Sequence, residues 1–230
     1  MLIIQLPQVQ TYVAGKVVDR LDDKLDGDIK FEKIHFKPFT TLVLKKVSII
    51  DRNPQKCAVN PLAEPVDTFF RADYIIAKFT LHGLFRQEGL HLRKAYINGA
   101  QMNLVIEDKA DEGDGYTQTD NLSRIFRLKK GKEPKQSEKE IFHIKDVQII
   151  DMGFAMKDHG INQTPFYGGI NWNDLDVKDI DLNAKELQFK GGIMSGVLKS
   201  LSFTEKSGYI CSSLTGRAKV GRGKTIVEDF

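Results

Sequence analysis

The sequence predicts a mainly β protein: an N-terminal amphipathic helix, then repeated antiparallel strands forming a curved, partly open sheet. Three observations lead there. After Gly27, apolar residues recur at every second position over much of the chain, the period of a half-buried strand. Before Gly27 they recur every fourth residue, at Val9, Val13, Val17, Leu21 and Leu25, which marks one face of a helix. A ten-residue phrase also returns three times, and internal repetition decides architecture before any local signal does.

Residues 1 to 6 are apolar for about one turn and stop at Pro7. A membrane-spanning helix needs about 20 such residues, so this stub is either an ordinary N-terminus or the last turn of a membrane helix preceding it. Pro7 suits a first helical turn, Tyr12 and Val18 widen the stripe, and Gly27 is a natural stop. This helix is expected to plug the open end of the sheet. Its polar face mixes Asp19, Arg20, Asp22, Asp23 and Lys24, a poor match to a membrane-surface helix.

Strand-like alternation begins at Ile29 and Phe31 and, after a slip that a bulge absorbs, continues at Ile34 and Phe36. It resumes over 42–49, 72–81 and 90–106. Asp51 to Pro54 reads as a turn, and 55–66, with Pro61 and Pro65, as a loop. Residues 107–120 and 129–140 have little to bury and are expected to be exposed and mobile, with a short helical turn at 121–126 between them. Strands return over 141–158, 168–190 and 193–227. The expected division is 1–27 helix, 28–128 first β unit, 129–140 charged linker and 141–230 second β unit, truncated at its C-terminus.

The repeated phrase is the most informative feature. Its copies are Leu42–Asp51, Leu90–Gly99 and Phe142–Asp151, each with apolar residues at positions 1, 3, 6 and 8, a cation at 4, and Asp or Gly at 10. The step from position 3 to position 6 implies that side-chain phase slips once inside the strand, as at a bulge. Position 10 is expected to be a turn, followed by another strand of a hairpin.

Composition excludes several classes. With 34 basic and 31 acidic residues the net charge is +3, which gives no pull toward nucleic acid. Cys57 and Cys211 are the only cysteines and form no C-x-x-C site; their pairing stays open. Ala218–Thr225 meets a loose phosphate-loop pattern, but a strand-like tail follows where a helix is required, so a basic hairpin turn is expected. His35, His82, His91, His143 and His159 are scattered without metal-ligand spacing. Asp174, Asp176, Asp179 and Asp181 fail the calcium-loop pattern and read as a solvated strand face. Ser195, Ser207 and Ser212 lack a nucleophile elbow. No catalytic residue, metal or cofactor is expected.

Pro7-Gln-Val-Gln-Thr-Tyr12, Leu21-Asp-Asp-Lys-Leu25, Ile29-Lys-Phe31 and the first phrase, followed by Ala72–Ala77, Leu84–Arg86 and Tyr96–Ala100, resemble the start of TamB-type (AsmA-like) envelope proteins. Asn121-Leu122 after an acidic glycine loop and Leu201–Gly208 extend the likeness over most of the chain. The resemblance implies an N-terminal fragment of a longer periplasmic protein, anchored to the inner membrane of a Gram-negative bacterium by a missing helix. It also implies an apolar β-groove serving phospholipid transport, or assembly of outer-membrane proteins with an outer-membrane assembly partner.

The residues expected to line such a groove are Leu42, Leu44, Val47, Ile49, Leu90, Leu92, Ile97, Met102, Leu104, Ile144, Val147, Ile149 and Phe154. A phospholipid or other acyl-chain lipid is the expected occupant. The alternative is a structural or partner-binding β module of the envelope with no lipid cargo, its apolar face simply a covered core.

Overall fold

The computed structural model describes residues 26–37, 40–52, 67–79, 90–110, 116–125, 140–160, 167–190, 193–221 and 224–228. The helix expected before Gly27, with its plug residues Val9, Val13, Val17, Leu21 and Leu25, lies outside them, as do Cys57 and His82. Cys211 is a half-buried free thiol whose Sγ lies 3.8 Å from the Leu201 carbonyl.

The strands are β1 Gly27–Lys30, β2 Lys33–Lys37, β3 Thr41–Asp51, β4 Thr68–Phe79, β5 Leu90–Ala110, β6 Tyr116–Asp120, β7 Glu140–Asp158, β8 Asp174–Lys190, β9 Ile193–Glu205, β10 Ile210–Cys211, β11 Gly216–Gly221 and β12 Lys224–Glu228. One helical turn, α1 Asn121–Ile125, follows β6. All twelve strands belong to one open sheet, ordered β1-β3-β4-β5-β7-β8-β9-β11-β12, with β2 on β3, β6 on β5 and β10 on β9. The two expected β units thus contribute to one continuous sheet.

The pairing departs from the antiparallel expectation at one joint, where β5 and β7 run parallel. Their register sets Leu90 beside Phe142, His91 beside His143, Ala95 beside Val147 and Ile97 beside Ile149, so the second and third copies of the phrase lie side by side, residue for residue. Two copies can match position by position along their whole length only if they run in the same direction. A parallel pair needs a crossover of a dozen or more residues, which the chain between Ala110 and Glu140 supplies. The first copy, in β3, also runs in that direction but sits five positions along: Leu42 pairs with Ala77, and Ala77 with Ala95.

Position 10 of the phrase is not a turn in the second and third copies. β5 and β7 run straight through Gly99 and Asp151, both of which take left-handed conformations, φ 59° and 55°. Lys46 in β3 and Asp179 in β8 do the same, φ 52° and 53°. Register sets Lys46 and Gly99 on either side of Asp73 of β4 and Gly99 beside Asp151. Asp179 adjoins Ile180, the partner of Met152, so four kinks on β3, β5, β7 and β8 follow one transverse line. The kink at Lys46 falls where the first copy's phase slip was expected; in the second copy Arg93 is the extra residue opposite Lys78 and Phe79.

Contrary to expectation, the described residues of the acidic stretch after Ile106, 107–110 and 116–120, form strands. β5 continues to Ala110 and pairs with β6 from Ile106–Asp120 to Ala110–Tyr116. Backbone hydrogen bonding along a ready strand edge outweighs the lack of apolar side chains. Ile106 also pairs with Asp158 of β7, so β6 occupies the β4 side of β5. Gly27, expected to end a helix, opens β1; a Cβ there would press on Ile125 Cγ2 at 3.1 Å.

The kink line constrains sequence most tightly at Gly99. A Cβ there would lie 2.6 Å from Asp73 Oδ2, and that carboxylate is held by Lys46 Nζ at 2.7 Å. Gly99→Ala is expected to destabilise the protein by about 1–2 kcal/mol, the usual cost of the left-handed region for a residue with a Cβ, plus the clash. Urea denaturation measures it, and adding Asp73→Ala should recover only the part due to the clash.

Candidate functional site

Directly opposed residues on neighbouring strands share a face, so the register can be read as rows. One row runs Ile34, Leu44, Ile75, Ile97, Ile149, Leu182, Leu201 over seven strands. Every member is aliphatic and every one is half-buried. At about 4.8 Å between strands the row is roughly 29 Å long. Two residues along, on the same face, runs Leu42, Ala77, Ala95, Val147, Ala184, Leu198. Ala95, Val147 and Ala184 are buried among their larger neighbours, so small side chains floor a strip edged by branched ones.

The adjacent row on the opposite face is His35, Val43, Ile76, Tyr96, Gln148, Asn183, Ser200. It is apolar only at Val43 and Ile76 and polar from Gln148 onward, and Lys94 Nζ donates to Gln148 Oε1 at 3.4 Å there. The two faces are therefore chemically different, as in a sheet with one side made for apolar contact.

The thirteen residues expected to line a groove fall into rows of this kind. Leu44, Ile97 and Ile149 share the seven-strand row, and Leu42 and Val147 the next. Leu92 and Ile144 are directly paired, while Leu90 pairs through its backbone with Phe142. Beyond the kink line, Ile49 and Met102 join Ile29, Phe70, Phe154 and Val177 in one row. Val47 is flanked by Ala72, and Leu104 pairs with Met156. Ile34, Ile75, Leu182 and Leu201 were not among the residues expected to line the groove: they stand outside the phrase, and pairing reveals their place in the row.

At the β1 end, α1 covers part of the sheet. Ile125, fully buried, and Leu122 pack with Phe69, Ile29, Ile49, Phe70 and Met102. Asp120 caps the turn by accepting from the Ser123 amide at 2.6 Å. Buried Asn121 accepts from the Val105 amide at 3.1 Å and donates to the Asn103 carbonyl at 2.9 Å. Arg124 donates through Nε and Nη2 to Asp51 Oδ2, and its Nη1 lies 3.6 Å from Glu107 Oε2. A single guanidinium therefore joins α1 to β3 and β5.

The other face carries a depression of about 680 Å³ along the kink line, lined by Lys46, Arg71, Asp73, Gln101, Lys178 and Asp179 among others. Gln101 overlies Gly153, where a Cβ would come within 2.0 Å of its Oε1. Asp181 accepts from the Asp151 amide at 2.9 Å, which fastens the kink between β7 and β8. Charges of both signs meet here, with Lys46 on Asp73 and Lys178 near Asp176. His91 and His143 stand edge to face with centroids 6.1 Å apart, and His143 Nε2 is 2.6 Å from Glu186 Oε2.

Among the described residues, no group of three or more His, Cys, Asp or Glu is placed to hold a metal ion, and no helix is long and apolar enough to cross a membrane. The basic phrase near the C-terminus joins β11 and β12, where Gly221 pairs with Lys224. The described residues define a class: one open mixed β-sheet with an aliphatic face. No protein-family model matches the chain, and no curated protein matches it.

The α1 clamp makes two predictions. Removing Arg124 takes away the cation that the buried Asp51 and Glu107 carboxylates share, so Arg124→Met is expected to cost about 3–5 kcal/mol in urea denaturation. Burial raises the Glu107 carboxyl above its ordinary 4.5, against the opposing pull of Arg124. The native state then binds this proton more readily than the unfolded chain does, so the group's contribution to stability grows as pH falls through the raised value toward 4.5 and is lost as pH rises through it. Glu107→Gln should therefore be at least as stable as the wild type at neutral pH. Its advantage should disappear in acid, which denaturation at a series of pH values measures.

Proposed function

We propose that this chain is part of an envelope protein of the TamB or AsmA-like kind and that its aliphatic face accommodates the acyl chains of phospholipid. The observation that carries the reading is the seven-strand row from Ile34 to Leu201, whose members are all aliphatic and all half-buried. Full burial of such a side chain contributes about 1.5–3 kcal/mol, so each leaves on the order of 1 kcal/mol for an apolar occupant to recover. A lipid tail suits the row because its affinity grows by about 0.8 kcal/mol per buried CH₂ and asks nothing of polar groups.

In this reading the row guides cargo and performs no covalent chemistry. The small residues Ala77, Ala95 and Ala184 in the neighbouring row give a chain room to lie between branched side chains. Periplasmic location, an inner-membrane anchor and an outer-membrane assembly partner belong to the same proposal and rest on the sequence resemblance. A second reading, a structural β module whose aliphatic face is covered by protein, draws on α1, which already covers one end of the sheet through Ile125.

Mass spectrometry of lipid extracted from the purified protein separates the two. Co-purified phospholipid is expected, with a several-fold lower content in an Ile97→Asn/Ile149→Asn variant that retains its β-sheet circular dichroism. Lipid-free protein that also fails to take up fluorescent phospholipid would sink the lipid reading in favour of the structural one.

A further inference from the structure

Six large apolar residues stand out as exposed among the described ones, and they divide between the two ends of the sheet. Ile193 and Met194 begin β9. Trp172, Tyr209 and Ile210, exposed to 63%, 51% and 65%, lie at the other end, and Tyr167, exposed to 94%, stands in the segment that leads to Trp172. There β7 finishes, β8 starts and β9 finishes: Asp174 pairs with Lys157, Val177 with Glu205, and the Lys206 amide donates to the Asp176 carbonyl. Trp172 lies two residues before β8, Tyr209 ends the return from β9, and Ile210 opens β10.

The turns that present these side chains are firmly built. The Asp158 amide donates to the Asn173 carbonyl at 2.8 Å, and the Asp174 amide to the Asn171 carbonyl at 3.1 Å. The other turn closes where the Glu205 amide donates to the Tyr209 carbonyl and the Gly208 amide to the Glu205 carbonyl, both at 2.8 Å. The Ser207 amide adds a 2.8 Å bond to the buried Glu205 carboxylate. Gly168, Gly169 and Gly208 take φ of 119°, 81° and 93°, and a Cβ on any of them would meet nothing within 4 Å. These turns project into open space.

We infer that this end of the sheet seats on the headgroup region of a lipid bilayer, with Trp172, Tyr167, Tyr209 and Ile210 entering the interface. Trp and Tyr have an apolar body and a polar tip, which suits that region. A protein partner would instead need a packed pocket around a central anchor, whereas here the side chains stand apart on separate turns. Two lysines at this end already have carboxylate partners, Lys206 with Asp174 and Lys178 with Asp176, and the inferred driving force is apolar and aromatic insertion, not attraction to anionic lipid. Seating on a bilayer does not depend on the aliphatic face carrying cargo. If both hold, the row Leu104, Met156, Leu175 is the last of the face before the bilayer.

Trp172 is the chain's only tryptophan, so intrinsic emission reports directly on this site. Phosphatidylcholine vesicles are expected to shift the emission to the blue, and acyl-brominated phosphatidylcholine to quench it, both unaffected by high salt. A Tyr209→Ser/Ile210→Ser variant keeps the reporter and should lose most of the shift and co-flotation with vesicles at unchanged circular dichroism. Its co-purified lipid should stay at the wild-type level, which separates this site from the aliphatic face. Unchanged emission with vesicles overturns the inference, as does binding that requires anionic lipid. So does a blue shift that appears with rising protein concentration alone, which would make a second copy the partner.

Discussion

The parallel pairing of β5 with β7 holds the sheet together. β1–β4, β6 and α1 lie on one side of that joint and β8–β12 on the other, and among the described strands only this pairing links the two halves. The joint is long, from Leu90–Phe142 to Ile106–Asp158, and its register is fixed several times over. A slip of one residue would put Ile97 and Ile149 on opposite faces, and it would set the left-handed residues Gly99 and Asp151 out of line. Repetition of the phrase is thus a pairing code between neighbouring strands.

Among the described residues the sheet has no second layer, so they draw little of their stability from a central core. Few side chains here are buried, and several of those are small, such as Ala72, Ala95, Ala100 and Ala184. Stability rests on backbone ladders and cross-strand pairs, each worth a few tenths of a kcal/mol up to about one. The exception is the corner beneath α1, where Ile125, Asn121 and the Arg124–Asp51 pair are all sequestered. A buried ion pair specifies where the turn sits more than it stabilises it.

Alternation and the thrice-repeated phrase made the β class and most of the strands legible, because a period of two reads directly as one face of a strand. Asn121–Ile125 was also legible as a helical turn. The parallel joint was not: the phrase shows that two segments are alike, and likeness does not say that they are neighbours. Gly99 and Asp151 misled for a physical reason, since the left-handed conformation that ends a hairpin strand also kinks a continuous one. Residues 107–110 and 116–120 misled because pairing along an existing edge needs backbone rather than apolar side chains. Of the aliphatic row, Leu44, Ile97 and Ile149 came from the phrase, while register gave Ile34, Ile75, Leu182 and Leu201 their place in it.

The crossover between β5 and β7 also has a kinetic consequence. Most other neighbours in the sheet are joined by local antiparallel returns, which close quickly because little chain is constrained. The parallel joint must wait until the segment from Ala110 to Glu140 has looped back, and non-local pairings of this kind are intrinsically slow. Two half-sheets therefore form early, each with a bare strand edge along β5 or β7 and an uncovered aliphatic strip. An exposed edge of that sort is a template for intermolecular pairing. The period before the halves meet is when this chain is most open to aggregation and most in need of a chaperone.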